Sequence, residues 1–264
     1  MRGQSDKLRE ALETLAVRAG RAILEVQRKG VTAALKTDNT PVTEADKQAE
    51  AIILDGLARL APDIPVIAEE AMATGAKPKP SPVFFLVDAL DGTREFIAGR
   101  PEYTVNIALV ADGIPVTGIV YCPATGDLFS AEDGTAHALR IGAEAAPRRV
   151  LSVRQSVSGP IVLASRSHRT PQTDDWIAAQ PGSAVSTVGS SKKFCLIAAG
   201  EADLYPRFGR TMEWDTAAGD AILRAAGGMT RTLDGAPLRY GKAPDYANPD
   251  FIASTRKYSV PEAF

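Results

Sequence analysis

The stretch Phe84-Phe85-Leu86-Val87-Asp88-Ala89-Leu90-Asp91-Gly92-Thr93 carries the clearest chemical signal in the chain. An apolar run with strand character ends in two acids three positions apart, followed at once by Gly-Thr. A buried strand would deliver Asp88 to its exposed end, and a turn at Leu90-Asp91 would bring the second carboxylate beside the first. Gly92 and Thr93 would then present free backbone N–H groups at a helix start, a position that favours an anion. Two carboxylates beside an anion cradle repel each other unless a cation lies between them. A hard divalent ion bridging protein and phosphate meets that need.

Three further groups of acids sit in comparable places. Val66-Ile67-Ala68-Glu69-Glu70 is a short apolar run ending in acids, which by itself reads as a strand leaving the core for solvent. Trp214-Asp215 opens a helical pattern in which Asp215 can serve as the N-cap. Thr43-Glu44-Ala45-Asp46 fits a capping box with Asp46 near N3. The Asp88 and Asp91 run also has a plain reading, as a strand, an Asp-Gly turn and a Thr cap. All four groups nevertheless put an acid at a strand end or a helix start, where α/β proteins build their sites. That coincidence favours one shared metal centre over four unrelated caps.

The surrounding elements follow from periodicity. Leu8, Leu12, Leu15, Ala19, Ile23 and Val26 recur at three- and four-residue steps, which predicts an amphipathic helix over 5–29 with Ser5 as N-cap and Gly30 at C′. A second helix opens at Thr43 and runs through Ile52, Ile53, Leu57 and Leu60, and Ala73 to Pro82 reads as a mobile surface loop. A sheet is expected from Val83 to about Ala131, with Thr104–Val110 and Val116–Tyr121 flanking an Asp112-Gly113 hairpin turn and a further strand at Asp127–Ser130. Composition turns to Gly, Ala, Pro and Arg near Gly142–Arg149, which places a lobe boundary there. Beyond it strands at Ile161–Ala164, Val185–Val188, Ala202–Tyr205 and Met229–Thr232 alternate with helices around Thr173–Ala179, Lys192–Ala199 and Asp215–Ala226, the pattern of an α/β lobe.

Composition narrows the chemistry. With 264 residues, 45% hydrophobic and 23% charged, and a formal net charge of −2, the chain can bury a sizeable core as one domain or two lobes. There is no basic excess for nucleic acid, no apolar run long enough for a membrane span, and the polar first ten residues do not read as a signal peptide. Cys122 and Cys195, far apart in apolar surroundings, read as reduced, buried thiols of a cytoplasmic protein. His137 and His168 are the only histidines, so a zinc site of several His or Cys ligands cannot be assembled. Any metal must be held by carboxylates and carbonyls, which suits magnesium, manganese or calcium.

Taken in order, Glu69-Glu70, Asp88-x-Leu90-Asp91-Gly92-Thr93 and Trp214-Asp215, with eleven residues before Gly227-Gly228, resemble the signature of the inositol monophosphatase family of magnesium-dependent, lithium-sensitive phosphatases. The stretches Lys36 to Asp46, Asp91 to Ile97, Tyr103 to Leu109, Ala164 to His168, Gly189 to Phe194 and Leu204 to Phe208 resemble its 3′(2′),5′-bisphosphate nucleotidase branch. Ala89 departs from the proline usual between the paired acids, which relaxes the backbone restriction on Asp88. A slight change in the turn, with liganding intact, is the expected result.

The resemblance implies a layered α-β-α-β-α sandwich of the sugar-phosphatase type with two lobes. An α+β lobe over 1–145 would carry most metal ligands, and an α/β lobe over 146–264 would carry Asp215 and the substrate contacts. It implies Glu69, Asp88 and the Leu90 carbonyl around a first magnesium, Asp88, Asp91 and Asp215 around a second, and Glu69 sharing a third, weaker ion. Catalytic work would fall to Glu69, Asp46 and Thr93, the Thr93 hydroxyl being hydrogen-bonded to Asp46 and orienting the attacking water. Gly92, Thr93, Ser165, His168, Ser190, Lys193, Arg207 and Asp215 would bind substrate, with Lys193 and Arg207 on a second phosphate. The activity implied is hydrolysis of the 3′-phosphate of adenosine 3′,5′-bisphosphate to AMP, and action on its sulfated precursor, in sulfur assimilation. An inositol or sugar phosphatase, or a non-catalytic partner or sensor on the same scaffold, are the rivals. The partner expected is a small molecule and not nucleic acid; a homodimer and peripheral attachment to the inner membrane are compatible with this and stay open.

Overall fold

Periodicity in the first thirty residues does produce a helix whose apolar stripe is buried. The structure, a computed structural model, describes residues 2–255 except 37–39, 77, 79–80, 143, 156–158 and 181. In chain order the first elements are α1 (Arg2–Lys29), β1 (Ala33–Leu35), β2 (Pro41–Thr43), α2 (Glu44–Leu60), β3 (Val66–Ala68), α3 (Glu69–Ala73), β4 (Val83–Asp91) and α4 (Thr93–Ile97). Strands β5 (Thr104–Ala111), β6 (Ile114–Cys122), β7 (Asp127–Glu132), β8 (Thr135–Arg140) and β9 (Ala146–Val150) follow. The remainder is β10 (Ile161–Ser165), α5 (Pro171–Ala178), β11 (Ala184–Val188), α6 (Lys192–Ala198), β12 (Leu204–Arg207), α7 (Glu213–Ala225), β13 (Met229–Thr232) and β14 (Phe251–Ser254). Helix α1 starts at Arg2, so Ser5 lies inside it and not at its cap. Thr43 caps α2 as expected, and Gly30 follows α1 at a φ of 99°.

Strands β3 to β9 form a seven-stranded sheet in sequence order, antiparallel apart from the β3–β4 pair. A five-stranded sheet has the order β11-β10-β12-β14-β13, with β10 parallel to both its neighbours and β14 antiparallel to both of its own. Alternate residues of β4 go to opposite sides, as a pleated strand requires. Phe85 and Val87 join Leu12, Ile23, Ile53 and Leu57 of α1 and α2 on one face. Phe84 and Leu86 join a second core on the other face, with Phe194 and Ile197 of α6, Ile222 of α7, and Leu163, Tyr205 and Phe251 of the five-stranded sheet. A third cluster packs Trp176 and Ile177 of α5 on the outer face of that sheet. The layers are therefore α1/α2, sheet, α6/α7, sheet, α5, the α-β-α-β-α sandwich expected.

The Asp112-Gly113 turn forms as predicted, both residues at positive φ (51° and 74°), which suits the twist of a two-residue hairpin. The sheet then runs further than expected, through β8 and β9. The boundary read at 145/146 falls in the β8–β9 connection, and by sheet membership the division comes after Val150. Strand β9 is exposed along its whole length, with Pro147 on a sheet edge, so no apolar alternation marks it. The short strands β1, β2 and β14 also went unread. Residues 77 and 79–80 of the loop expected over 73–82 lie outside the described residues.

The middle helices approach the first sheet closely. A Cβ on Gly118 of β6 would overlap the Ala218 carbonyl oxygen and lie 2.8 Å from the Ala221 Cβ of α7. Gly118→Ala should therefore destabilise the protein by about 1–3 kcal/mol, lowering Tm by roughly 3–10 °C. A thermal melt with unchanged Tm would refute the α7–β6 packing.

Candidate active site

Asp88 and Asp91 lie at the end of β4, and the register there explains how both face one cavity. Asp88 pairs with Asn106 and Asp91 with Thr104, with a register shift between them. Three steps along β4 thus match two along β5, which is a β-bulge. Positions three apart on a regular strand face opposite sides; the extra residue cancels this and puts both acids on the face shared by Thr104 and Asn106. The turn expected at Leu90-Asp91 is this bulge inside a continuous strand, with Ala89 buried within it. The Leu90 N–H donates to Asp88 Oδ1 at 3.0 Å.

Two other elements bring acids to the same place. Glu69 is the first residue of α3, directly after β3, which lies beside β4 with Ala68 opposite Val87. Asp215 is the third residue of α7 and not its N-cap: the helix starts at Glu213, and Asp215 Oδ2 accepts from the Met212 N–H at 2.8 Å. Carboxylate oxygens of Glu69, Asp88 and Asp215 lie within 4.8 Å of one another. With Asp91 and Leu90 they line one cavity of about 730 Å³.

That crowding has an electrostatic cost. Burial first, and then the charges of Glu69, Asp91 and Asp215, push the Asp88 carboxyl well above its ordinary range. Asp215 is raised likewise by burial, Asp91 and Glu69. Asp91 is pushed by burial to about 6, although Lys193, the Ser191 N–H and the Asn106 amide pull the other way. Three carboxylates and a backbone carbonyl, without His or Cys, make an all-oxygen donor set that fits a hard divalent cation.

Thr93 opens α4 beside this cluster, after Gly92 at a φ of 94°. A side chain at Gly92 would meet the Glu102 carbonyl oxygen at 3.0 Å, so glycine is required there for space as well as conformation. Thr93 Oγ1 donates to Asp46 Oδ1 at 3.0 Å and lies 3.2 Å from the Leu90 carbonyl oxygen. Asp46 Oδ2 accepts from the Thr43 N–H and hydroxyl, each at 2.7 Å. One carboxylate thus completes the α2 capping box and supports Thr93, so the structural and the chemical readings of Asp46 both hold. Burial raises its pKa.

Ser165, His168, Ser190, Lys193 and Arg207 line the same cavity. Lys193 is 3% exposed, donates to the Val188 and Ser190 carbonyls and lies 4.8 Å from the Tyr205 ring centre. Burial, with Arg207 nearby, lowers its pKa to about 8. Arg207 donates to the carbonyls of His168 (3.0 Å) and Arg210 (2.8 Å), while its buried Nε has no partner. Burial and Arg207 lower His168 to about 4, so its imidazole is neutral at pH 7. Every residue expected at the site lines this cavity except Asp46, which stands behind Thr93.

Sequence reading missed Lys36, Arg94 and Arg210, which also line the cavity. The Lys36 ammonium lies 2.7 Å from Glu69 Oε1 and 2.5 Å from Glu70 Oε1. Burial opposes its charge, but the two glutamates outweigh burial and raise its pKa. Burial drives Glu70 to about 7 in spite of Lys36. No local pattern announces an ion pair between residues more than thirty positions apart.

Comparison with known proteins agrees with this geometry. The inositol monophosphatase family pattern matches residues 4–262. The 3′(2′),5′-bisphosphate nucleotidase CysQ of Shigella flexneri is 42% identical over 242 residues, covering 91% of this chain and 96% of that protein. CysQ of Escherichia coli strain K12 is 41% identical over the same shares. Among solved structures, CysQ from Bacteroides thetaiotaomicron superposes with a TM-score of 0.80 at 35% identity, covering 96% of this chain and 98% of that one. The extragenic suppressor protein suhB from Bartonella henselae superposes with a TM-score of 0.75 at 25% identity, covering 95% and 94%.

The raised carboxyls make cation binding and stability depend on pH in a fixed direction. Asp88, Asp91 and Asp215 hold protons more tightly folded than unfolded. In the metal-free protein their stabilising share is complete below the unfolded value of about 4 and is lost as pH rises through the folded values, about 6 for Asp91. The gain in Tm on adding magnesium should therefore be larger at pH 8 than at pH 5, where protons compete. Asp91→Asn should melt no lower than the parent in EDTA and show a smaller magnesium-dependent gain. Differential scanning fluorimetry reads both; an equal gain at the two pH values would contradict a cation at this cluster.

Proposed function

The chain belongs to the inositol monophosphatase family, and from that premise we propose that it is a magnesium-dependent 3′(2′),5′-bisphosphate nucleotidase. Its reaction is hydrolysis of the 3′-phosphate of adenosine 3′,5′-bisphosphate to AMP and phosphate, and of the same phosphate on the sulfated precursor. The observation that carries the proposal is one cavity lined both by Glu69, Asp88, Asp91 and Asp215 and by the buried cations Lys193 and Arg207. A substrate with two phosphates matches both sets at once. Relatives at 41–42% identity that carry the bisphosphate nucleotidase name support the same substrate.

Glu69, Asp88, Asp91, Asp215 and the Leu90 carbonyl would hold the magnesium, as two ions or as three with Glu69 shared. Magnesium, when bound, polarises the phosphoryl oxygens and lowers the pKa of a coordinated water. Thr93 and Asp46 supply the proton path. The Thr93 hydroxyl proton points toward Asp46 Oδ1, the nearer of its two acceptors, which leaves its oxygen to accept from the attacking water. As the water oxygen bonds to phosphorus and the P–O3′ bond breaks, the water proton moves to Thr93 and the Thr93 proton to Asp46, while the departing O3′ takes a proton from solvent water in the cavity. This is positioning and proton transfer, with no covalent phospho-enzyme.

Lys193 and Arg207 bind the second phosphate. Lys193 stays largely protonated at neutral pH, and the Arg207 guanidinium lines the same cavity, so both offer charged donors to a 5′-phosphate. Ser165, Ser190 and the neutral His168 face the nucleoside. An inositol or sugar monophosphate would bring no second phosphate to the two cations, 3% and 7% exposed. No helix among the described residues is long and apolar enough to cross a membrane. A cytoplasmic location is part of the proposal, supported by two buried free cysteines.

Phosphate release should be magnesium-dependent and fastest on adenosine 3′,5′-bisphosphate in a panel that includes inositol 1-phosphate and sugar phosphates. Faster turnover of inositol phosphate would overturn the substrate and leave the family intact. Thr93→Val should lower kcat by about 10²–10⁴-fold with little change in KM. Arg207→Ala should raise KM for the bisphosphate roughly 10–100-fold and that for a 3′-monophosphate much less. Equal effects on both substrates would remove Arg207 from the second-phosphate position.

A further inference from the structure

Ser191, which the proposed reaction does not use, lines the same cavity. It is 3% exposed and immediately precedes α6. Its N–H donates to Asp91 Oδ2. Its hydroxyl lies 2.7 Å from Asn106 Oδ1 and 2.8 Å from Thr104 Oγ1, both residues fully buried on β5. The Asn106 amide in turn donates to Asp91 Oδ2 at 3.4 Å. Asp91, Asn106, Thr104 and Ser191 therefore form one buried hydrogen-bonded network across the two sheets' elements.

The neighbouring residue is tied to Lys193. Ser190 adopts a φ of 53°, a left-handed conformation that costs a serine free energy and persists only where its surroundings enforce it. Its carbonyl accepts from the Lys193 ammonium. Gly189 fixes the outer side of the turn: a Cβ there would lie 2.8 Å from the Glu102 carbonyl oxygen and 2.9 Å from Glu95 Cγ. The single peptide group between Ser190 and Ser191 thus holds a carboxylate of the acidic cluster through its N–H and the Lys193 ammonium through its carbonyl. Displacement of either is transmitted to the other, because that peptide is one rigid plane and the Ser191 hydroxyl anchors it to the buried Thr104 and Asn106 side chains.

We propose that Ser191 is a positioning residue that couples the Asp91 carboxylate to the Lys193 ammonium, making cation binding and 5′-phosphate binding thermodynamically interdependent. This rests on the reading of the two sets of residues given under Proposed function. Such coupling is reciprocal, each ligand changing the affinity of the other by the same factor, typically about 5–150-fold.

Calorimetric titration of Mn²⁺, with and without saturating 2′,3′-dideoxyadenosine 5′-monophosphate, measures the coupling. That probe carries the 5′-phosphate and lacks the sugar hydroxyls that could reach the cation directly. The wild type should show at least about fivefold coupling, equal when the titration is reversed. In Ser191→Ala the factor should fall below about twofold while each ligand alone still binds. Thr104→Val, which removes one partner of the hydroxyl, should reduce it as well and serves if Ser191→Ala does not fold. Two ligands that bind the wild type independently, or coupling unchanged in both variants, overturn the inference alone. Failure of the wild type to bind either ligand overturns the functional reading beneath it.

Discussion

Four carboxylates are forced together where water is scarce, and most of the structure around the cavity answers to their repulsion. Removing one carboxylate from water is costly, and like charges at close range raise that cost. The upward displacement of the Asp88, Asp91 and Asp215 pKa values is the direct expression of it. Each acid is therefore held by a backbone element that cannot easily yield. Asp88 and Asp91 ride on a bulged strand, Asp215 accepts a helix-terminal N–H, and Glu69 starts a helix at the end of a paired strand.

The same repulsion explains the cations nearby. Lys36 bridges Glu69 and Glu70 at one side of the cavity, and Lys193 lowers the Asp91 carboxyl from the other. They differ in what they leave available. The Lys36 charge is consumed by its two glutamates, whereas the hydrogen bonds of Lys193 and Arg207 go to neutral backbone carbonyls and Asp91 acts on Lys193 by charge alone. One cavity thus has an acidic cluster and a cationic pair in its lining, a built-in polarity.

The layered architecture makes this polarity possible. Helices α6 and α7 lie between the sheets and share a core with both, so they fix the distance between the β4 carboxylates and the β12 arginine. Two lobes joined only by a linker would leave that distance free. The glycines at 118 and 189 mark where the halves approach too closely for any side chain.

Much of the chemistry was legible in the sequence because it is encoded locally. Acids at strand ends and helix starts, the Thr43–Asp46 capping box, the Asp112-Gly113 turn and the scarcity of histidine all act within a few residues, and they marked the acids that the fold gathers around one cavity. What lay beyond that reach depended on partners far away in the chain. Register against β5 decided that Asp91 faces the same way as Asp88 through a bulge and not a turn; pairing with β8 made a strand of the featureless 146–150 segment; and folding brought Lys36 to Glu69, and Ser191 to Asp91. A local pattern fixes which groups a segment offers. Only the packing of distant segments fixes which way they point and what charge they meet, because those energies exist only once the chain has closed on itself.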